Sequence, residues 1–323
     1  MSNQRRPCDL FDYIYKILPE FAIFPTIKFG FIRKKSYYCK NKTIHSKTGK
    51  EDMEANLTKK IIRQYSNQPR SYYIGERNTN KFIYKYIDLE SAIISLASDS
   101  VRFVEPTQWQ DQYESRFYNA SYANVANALG NTPAVLASCF SFAPVNESAW
   151  RLYSYQKNGL GAHCIQLRIN RKAFREQILK NNKGYRLYEG MVNYSLDNYQ
   201  IDNIHKSHTS SGKENVLFYD LFKGFDLSSY MSLLLLKRQA FRHEQEIRYF
   251  LVSDQPMLKG YVEYEDIRIE WKNVLEDIKV DEQCSDLELG ILNKILSSKD
   301  ITITPKREFI YSNPDSHIVI DPI

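Results

Sequence analysis

Short apolar runs with a period of two alternate with stretches whose apolar residues recur every three or four positions. The first pattern places successive side chains on opposite faces of a strand, and the second gathers them on one face of a helix. Strands are expected at "KFIYKYI" (81–87), "SVRFVEP" (100–106), "AVLASCFSF" (134–142) and "AHCIQLRI" (162–169). Further strands are expected at "LYEGMVNYS", "EQEIRYFLV", "GYVEYEDIRIEW", "VLEDIKV" and "DITITP". Helices are expected at "DLESAIISLAS" with Asp88 as N-cap, at "NESAWRLYSYQKNG" with Asn146 as N-cap, and at "KAFREQILK". "VLFYDLFKG", "DLSSYMSLLLLKRQAF" and "SDLELGILNKILSS" are also expected to be helical. Residues 36–80 are polar and basic and read as a long loop with a short helix near 53–66. Strands and helices alternate without regular βαβ order. The expected class is α+β, with a mixed, mainly antiparallel sheet.

Composition bounds what this pattern can be. The 323 residues, 43% of them hydrophobic, suffice for one large domain or two modest ones. No apolar run approaches the length of a membrane span, and the N-terminal "MSNQRRPCDLFDYIYK" has no signal-peptide core. Five scattered cysteines without CxxC spacing point to a reduced, cytosolic protein without a zinc site. The six histidines form no HExxH motif, so no metal is expected.

Charge is unevenly distributed. Residues 1–86 hold 18 Lys and Arg against 7 Asp and Glu, a balance of +11, although the whole chain carries only +6. Tyrosines interleave with these cations, Tyr37, Tyr38, Tyr72 and Tyr73 among them. Cations with aromatics suit phosphate contacts and base stacking, so Arg33, Lys34 and Lys35 are candidate substrate-binding residues for RNA or DNA. An acidic protein is the other partner such a face fits, and a merely solubilising surface is the bland alternative. Residues 1–80 are thus expected to be a basic accessory region and residues 81–323 the main domain.

Three polar clusters lie on expected strands: "IYKY" (83–86), "SCFS" (138–141) and "EQE" (244–246). Each has an ordinary structural explanation. Lys85 can snorkel from a half-buried strand, Ser138 and Ser141 can be small core residues, and Glu244 and Glu246 can form a solvated strand face. Trp150 and Tyr153, three apart on the helix after "SCFS", can simply be core. On a strand Glu244, Glu246 and Arg248 would share a face, where Arg248 could keep both carboxylates ionised.

Several blocks occur together in order: "FIYKYID", "VRFVEPTQWQDQYESRF", "ASCFSFAPVNESAWRLYSYQKNGLGAHCIQL", "MVNYS" and "LLLKRQAFRHEQEIRYFL". Over residues 81–252 they resemble a bacterial family known only as a domain of unknown function, departing from it where "QWQDQYE" replaces a compact Asn-Asp-Pro turn. More loosely, the three clusters resemble the ADP-ribosyltransferase superfamily. Those enzymes carry an Arg or His on a first strand, a Ser-Thr-Ser or Tyr motif on a second, and Glu/Gln-x-Glu on a later one. Here Lys85 stands for the Arg, and lysine cannot make arginine's bidentate fork. Ser141 stands in the serine motif, and Glu244-Gln245-Glu246 matches Glu-x-Glu.

That resemblance implies NAD as substrate and an oxocarbenium-like ribose on cleavage of the nicotinamide bond. Glu246 would stabilise the developing charge and Glu244 would serve the nucleophile. Lys85, Tyr86, Ser141, Trp150 and Tyr153 would hold the dinucleotide, with no metal required. The expected protein is a toxin-like or defence-related NAD-dependent ADP-ribosyltransferase acting on a macromolecule, possibly with an inhibitor partner. The alternatives are a non-enzymatic nucleic-acid-binding module, and an NAD glycohydrolase or nuclease on the same fold.

Overall fold

Strand pairing in the computed structural model follows the alternation closely. Residues 59–109, 111–120, 133–154, 163–182, 184–197, 225–255, 257 and 259–309 are described, all within one compact unit, Ala55–Ile323. Among them one sheet has eleven strands. Its path runs β1 (Ile62–Gln64), β2 (Ser71–Ile74), β7 (Tyr185–Met191), β10 (Glu246–Ser253), β5 (Val135–Ser141), β3 (Phe82–Asp88), β6 (Cys164–Asn170), β12 (Leu275–Asp281) and β13 (Lys306–Glu308). β4 (Ser100–Val104) bridges β5 to β11 (Tyr264–Arg268). Only β2–β7 and β12–β13 are parallel within this sheet, so it is mixed and mainly antiparallel, as expected. Strands β8 (Asn193–Leu196) and β9 (Leu236–Arg238) form a small parallel pair of their own.

The helices begin where their caps predict. Asp88 accepts the Ser91 N–H at the start of α1 (Leu89–Ala97). The next helices are α2 (Gln112–Asn119), α3 (Glu147–Ser154), α4 (Arg171–Asn181), α5 (Leu227–Leu233) and α6 (Asp286–Ser298). Asn146 Oδ1 accepts from Ala149 N in the first turn of α3, and Asn170 Oδ1 accepts from Ala173 N in that of α4. Each such cap satisfies an N–H that the helix itself leaves open.

Three expected elements differ from the structure. The helix over "DLSSYMSLLLLKRQAF" stops at Leu233, and the chain continues as β9 and a 3₁₀ turn, Gln239–Glu244. The Leu235 carbonyl accepts from Asn193 N at 2.7 Å and the Leu234 carbonyl accepts from Arg248 Nη1 at 2.7 Å. Partners outside the helix take these groups, so tertiary pairing overrides helix propensity. The last strand falls at 306–308 rather than in "DITITP". The helix expected near 53–66 is replaced at 62–64 by β1, and with β2 this part of the supposed accessory region 1–80 is hydrogen-bonded into the main sheet. No helix among the described residues is long and apolar enough to cross a membrane.

The sheet has two covered faces. One is packed by α5 and the leucines 233–236, with Phe117, Tyr118, Phe250 and Val252 in a continuous core. Gly190 sits under this layer. A Cβ there would come within 2.5 Å of Leu235 Cδ1, so any larger residue would force that leucine side chain to move. The other face holds Phe140, Phe174 and Tyr249, whose rings meet edge to face.

Candidate active site

Strand register builds a row across the middle of the sheet. Tyr84 on β3 stands opposite Ser141 on β5, and Ser141 stands opposite Glu246 on β10. Directly paired residues point to the same face. Tyr84, Ser141 and Glu246 therefore share one face, with Cys139 and Arg248 on it a step further along β5 and β10. Lys85 is one residue out of this row and points to the opposite face.

Around Glu246 the structure gathers five charges. Arg248 is fully buried, donating through Nε to Glu246 Oε1 at 2.9 Å and through Nη2 to Oε2 at 3.1 Å. The same Nη2 bonds Glu114 from α2, and the guanidinium lies 4.3 Å from the Trp109 ring centroid. Lys237 Nζ reaches three carboxylates: Glu244 at 2.5 Å, Glu114 at 3.1 Å and Glu246 at 3.2 Å. Three carboxylates thus face two cations, a formal balance of one negative charge, in a cluster that is buried except at Glu244.

The protonation states follow from these contacts. Burial works against ionising Glu246, but Arg248 and then Lys237 outweigh it and hold its pKa down to about 2. Burial also opposes charge on Lys237, yet the three carboxylates raise its pKa above the ordinary lysine value. Glu244 differs from Glu246. Burial raises its pKa above the usual glutamate range, with only Lys237 opposing, and its side chain stays 26% exposed. One carboxylate is therefore locked and ionised, and its neighbour is accessible and titratable.

Glu244 does not reach this position by strand alternation. β10 starts at Glu246; Glu244 ends the 3₁₀ turn, and Gln245 between them is left-handed, at φ 45°. The turn is strapped to the chain after β5. Ser141 Oγ donates to the Glu244 carbonyl at 2.6 Å, Phe142 N to the Gln245 carbonyl at 2.9 Å, and Asn146 Nδ2 to the His243 carbonyl at 3.1 Å. The Ser141 hydroxyl also accepts from Ala143 N at 2.9 Å, so its contacts hold the turn that presents Glu244.

The other residues expected to hold a dinucleotide are placed unevenly. Lys85 Nζ donates to the Cys139 carbonyl at 2.8 Å and sits over the Phe140 ring, filling the gap where β3 and β5 are joined by one residue pair only. Burial, partly countered by Cys139 and Glu246, lowers its pKa. Tyr86 and Trp150 are buried and pack edge to face, with the Tyr86 hydroxyl donating to the Ala143 carbonyl. Tyr153 is only partly buried. It packs against the small cluster of Tyr86, Trp150 and Cys164, and its pKa is raised by burial and then by Cys139, Glu244 and Glu246. The structure thus brings Glu244, Glu246 and Ser141 together, puts Lys85 on the other face, and gives Tyr86 and Trp150, with Tyr153 packed against them, to a small core. Arg33, Lys34 and Lys35 lie outside the described residues.

Sequence reasoning missed Glu114, Lys237 and Tyr84. It also expected no metal ligands, whereas His163, Cys284 and Glu288 have ligand atoms within 4.8 Å of one another.

No protein-family model matches the sequence, and no curated protein does. Two solved structures match at low similarity. They are Thermus sp. 2.9 DarT in complex with NAD+, at 13% identity and TM-score 0.31, and the same protein in complex with ADP-ribosylated ssDNA, at 13% identity and TM-score 0.32. The first match covers 72% of this chain and 96% of that chain; the second covers 76% and 96%.

Proposed function

We propose that this protein is an NAD-dependent ADP-ribosyltransferase that passes ADP-ribose to a nucleic-acid acceptor. The observation carrying this reading is the pairing of a buried, permanently ionised Glu246 with a partly exposed Glu244, in a cluster with one surplus negative charge. Cleavage of the nicotinamide bond builds positive charge on the ribose. A fixed anion in a poorly hydrated site stabilises that charge without reorganising when it forms.

In this reading Glu246 accepts a hydrogen bond from the ribose and faces the developing cation. Its Oε2 already accepts from Lys237 and Arg248, so the ribose hydroxyl takes the place of Lys237, which keeps Glu244 and Glu114 as partners. Glu244 receives the proton of the acceptor nucleophile, a task that fits its exposure and raised pKa. Tyr153 and Tyr84 border the same face and would offer aromatic surface to nicotinamide or to an acceptor base. The basic residues 1–86 would recruit the acceptor by phosphate neutralisation. A toxin-like or defence role, and an inhibitor that restrains the enzyme, belong to the same proposal.

The test is incubation of the full chain with NAD labelled in its adenylate half and a single-stranded DNA or RNA oligonucleotide. Label on the oligonucleotide, with release of nicotinamide, supports transfer. Nicotinamide release without labelling means hydrolysis, with water as acceptor. The second reading, a non-enzymatic nucleic-acid-binding module, is favoured by the completeness of the ion pairs around Glu246, which on their own hold α2 and β9 against β10. Oligonucleotide binding with no NAD turnover would select it.

A further inference from the structure

We propose that His163, Cys284 and Glu288 form a binding site for a zinc-class divalent cation, on a part of the fold separate from the charged cluster around Glu246. The three residues come from different places. His163 immediately precedes β6, Cys284 lies in the turn after β12, and Glu288 is in the first turn of α6. Their candidate ligand atoms all lie within 4.8 Å of one another.

The donor set suits a borderline-soft cation. Thiolate, imidazole and carboxylate together are zinc ligands, whereas magnesium and calcium prefer oxygen alone. His163 Nδ1 is 3.1 Å from each Glu288 oxygen, close to the edge of about 3.3 Å that bonds of ~2.0 Å give a tetrahedron. Glu288 is held for this task from behind. Its Oε2 accepts from Ser285 N at 2.7 Å and Ser285 Oγ at 2.8 Å, which orients Oε1 toward His163. Cys284 and Glu288 are buried, while the His163 side chain is 24% exposed. A water completing four-coordination would enter from the histidine side.

Without metal the same atoms form an ordinary network. Ser285 and Glu288 make a reciprocal helix cap, His163 Nδ1 meets Glu288, and the Cys284 thiol donates to the Ser285 carbonyl. Cation binding replaces that network in a balanced step. The metal displaces the thiol proton, which passes to solvent, and Nδ1 of His163 becomes the unprotonated nitrogen with its proton on Nε2. The bound cation would tie β6, β12 and α6 together.

The experiment uses the full chain stripped by a chelator, then titrated with cobalt(II) and with zinc against a chromophoric competitor. The expected result is one equivalent bound with thiolate-to-cobalt charge-transfer absorption, and a zinc-dependent rise in melting temperature. Cys284→Ala removes the charge-transfer band, and Cys284→Ala and His163→Gln each weaken zinc binding by at least ~100-fold, more than loss of an outer partner does. His163 is partly exposed, so its replacement tests the site even where Cys284→Ala impairs folding. No cobalt band, or one that persists unchanged in both variants and so belongs to the chain's other cysteines and histidines, overturns the proposal.

Discussion

Arg248 grips Glu246 two residues back along the same strand, Nε to Oε1 at 2.9 Å, with both side chains buried. A buried arginine keeps its charge, so each carboxylate it touches is part of the fold as well as of any chemistry. Removing one member of such a pair leaves the other unsolvated, at a cost of about 3–5 kcal/mol. Arg248→Met should therefore destabilise the protein by that order, because Glu246 and Glu114 both lose one of their two cations and keep only Lys237. Glu246→Gln should cost less, since Glu114 still balances the guanidinium. Urea unfolding of the two variants checks the ranking; equal losses would mean that Glu114 does not share the charge.

Acid should weaken this region first. Glu246 has a pKa of about 2 in the fold, below its ordinary value of 4.5. A depressed carboxylate contributes stability that is complete above the unfolded value and is lost as pH falls through the folded one. The window runs from about pH 5 down to about pH 2. In Glu246→Gln the acid-dependent loss of stability over that window should shrink. Melting temperatures of both proteins at matched salt across this range provide the measurement, and superimposable pH profiles would contradict it.

Glu246 and Glu244 should separate in function. Glu246→Gln should lower NAD cleavage at least ~100-fold, the scale of losing one well-placed electrostatic group. Glu244→Gln should impair transfer more than the slow hydrolysis of NAD. It should also remove an acid limb from the transfer rate, lying above the usual glutamate range because burial raises the Glu244 pKa. Losses of equal size in both assays for both variants would defeat this division of roles.

Lys237 should act as the group that yields to substrate. Lys237→Met leaves Glu114, Glu244 and Glu246 with Arg248 as their one remaining cation in the cluster. The accessible member, Glu244, should respond most, its pKa rising further once the lysine no longer opposes burial. The acid limb of the transfer rate should move to higher pH than in the parent protein. An unmoved limb would show that Glu244 does not carry it.

What could be read in the sequence divides along physical lines. The period-two runs located most of the sheet, and the Glu246–Arg248 pair follows from alternation alone. Alternation failed at Glu244, because a left-handed Gln245 breaks the strand just before it starts. It also failed between Lys85 and Tyr84. A slip of one residue changes the face, and only the Tyr84–Ser141 pairing shows which of the two joins the row. Glu114 lies 134 residues from Arg248 and Lys237 was hidden in an expected helix, so neither contact had a local signal. Trp150 and Tyr153 looked alike on one helix face, yet Trp150 is 2% exposed and packs on Tyr86 while Tyr153 is only partly buried against the same small core. Trp150→Ala should accordingly cost about 3–5 kcal/mol, measured by denaturant unfolding.

The basic region should govern acceptor binding without touching the chemistry. The +11 balance of residues 1–86 is the largest charge asymmetry in the chain. Each phosphate neutralised releases counterions, so affinity for a single-stranded oligonucleotide should fall steeply and linearly on logarithmic axes as salt rises. Reversing Arg33, Lys34 and Lys35 together should weaken binding and flatten that slope. Nicotinamide release should persist, since Glu246 and its partners lie elsewhere in the sequence. Aromatic contacts from Tyr37 or Tyr38 would add about 1–3 kcal/mol per stacked base and leave the salt slope unchanged. The two contributions are therefore separable by titrating a labelled oligonucleotide over a salt series with charge-reversed and tyrosine-to-alanine variants. If no oligonucleotide binds even at low salt, nucleic acid is the wrong acceptor class, and the same cations are better matched to an acidic protein.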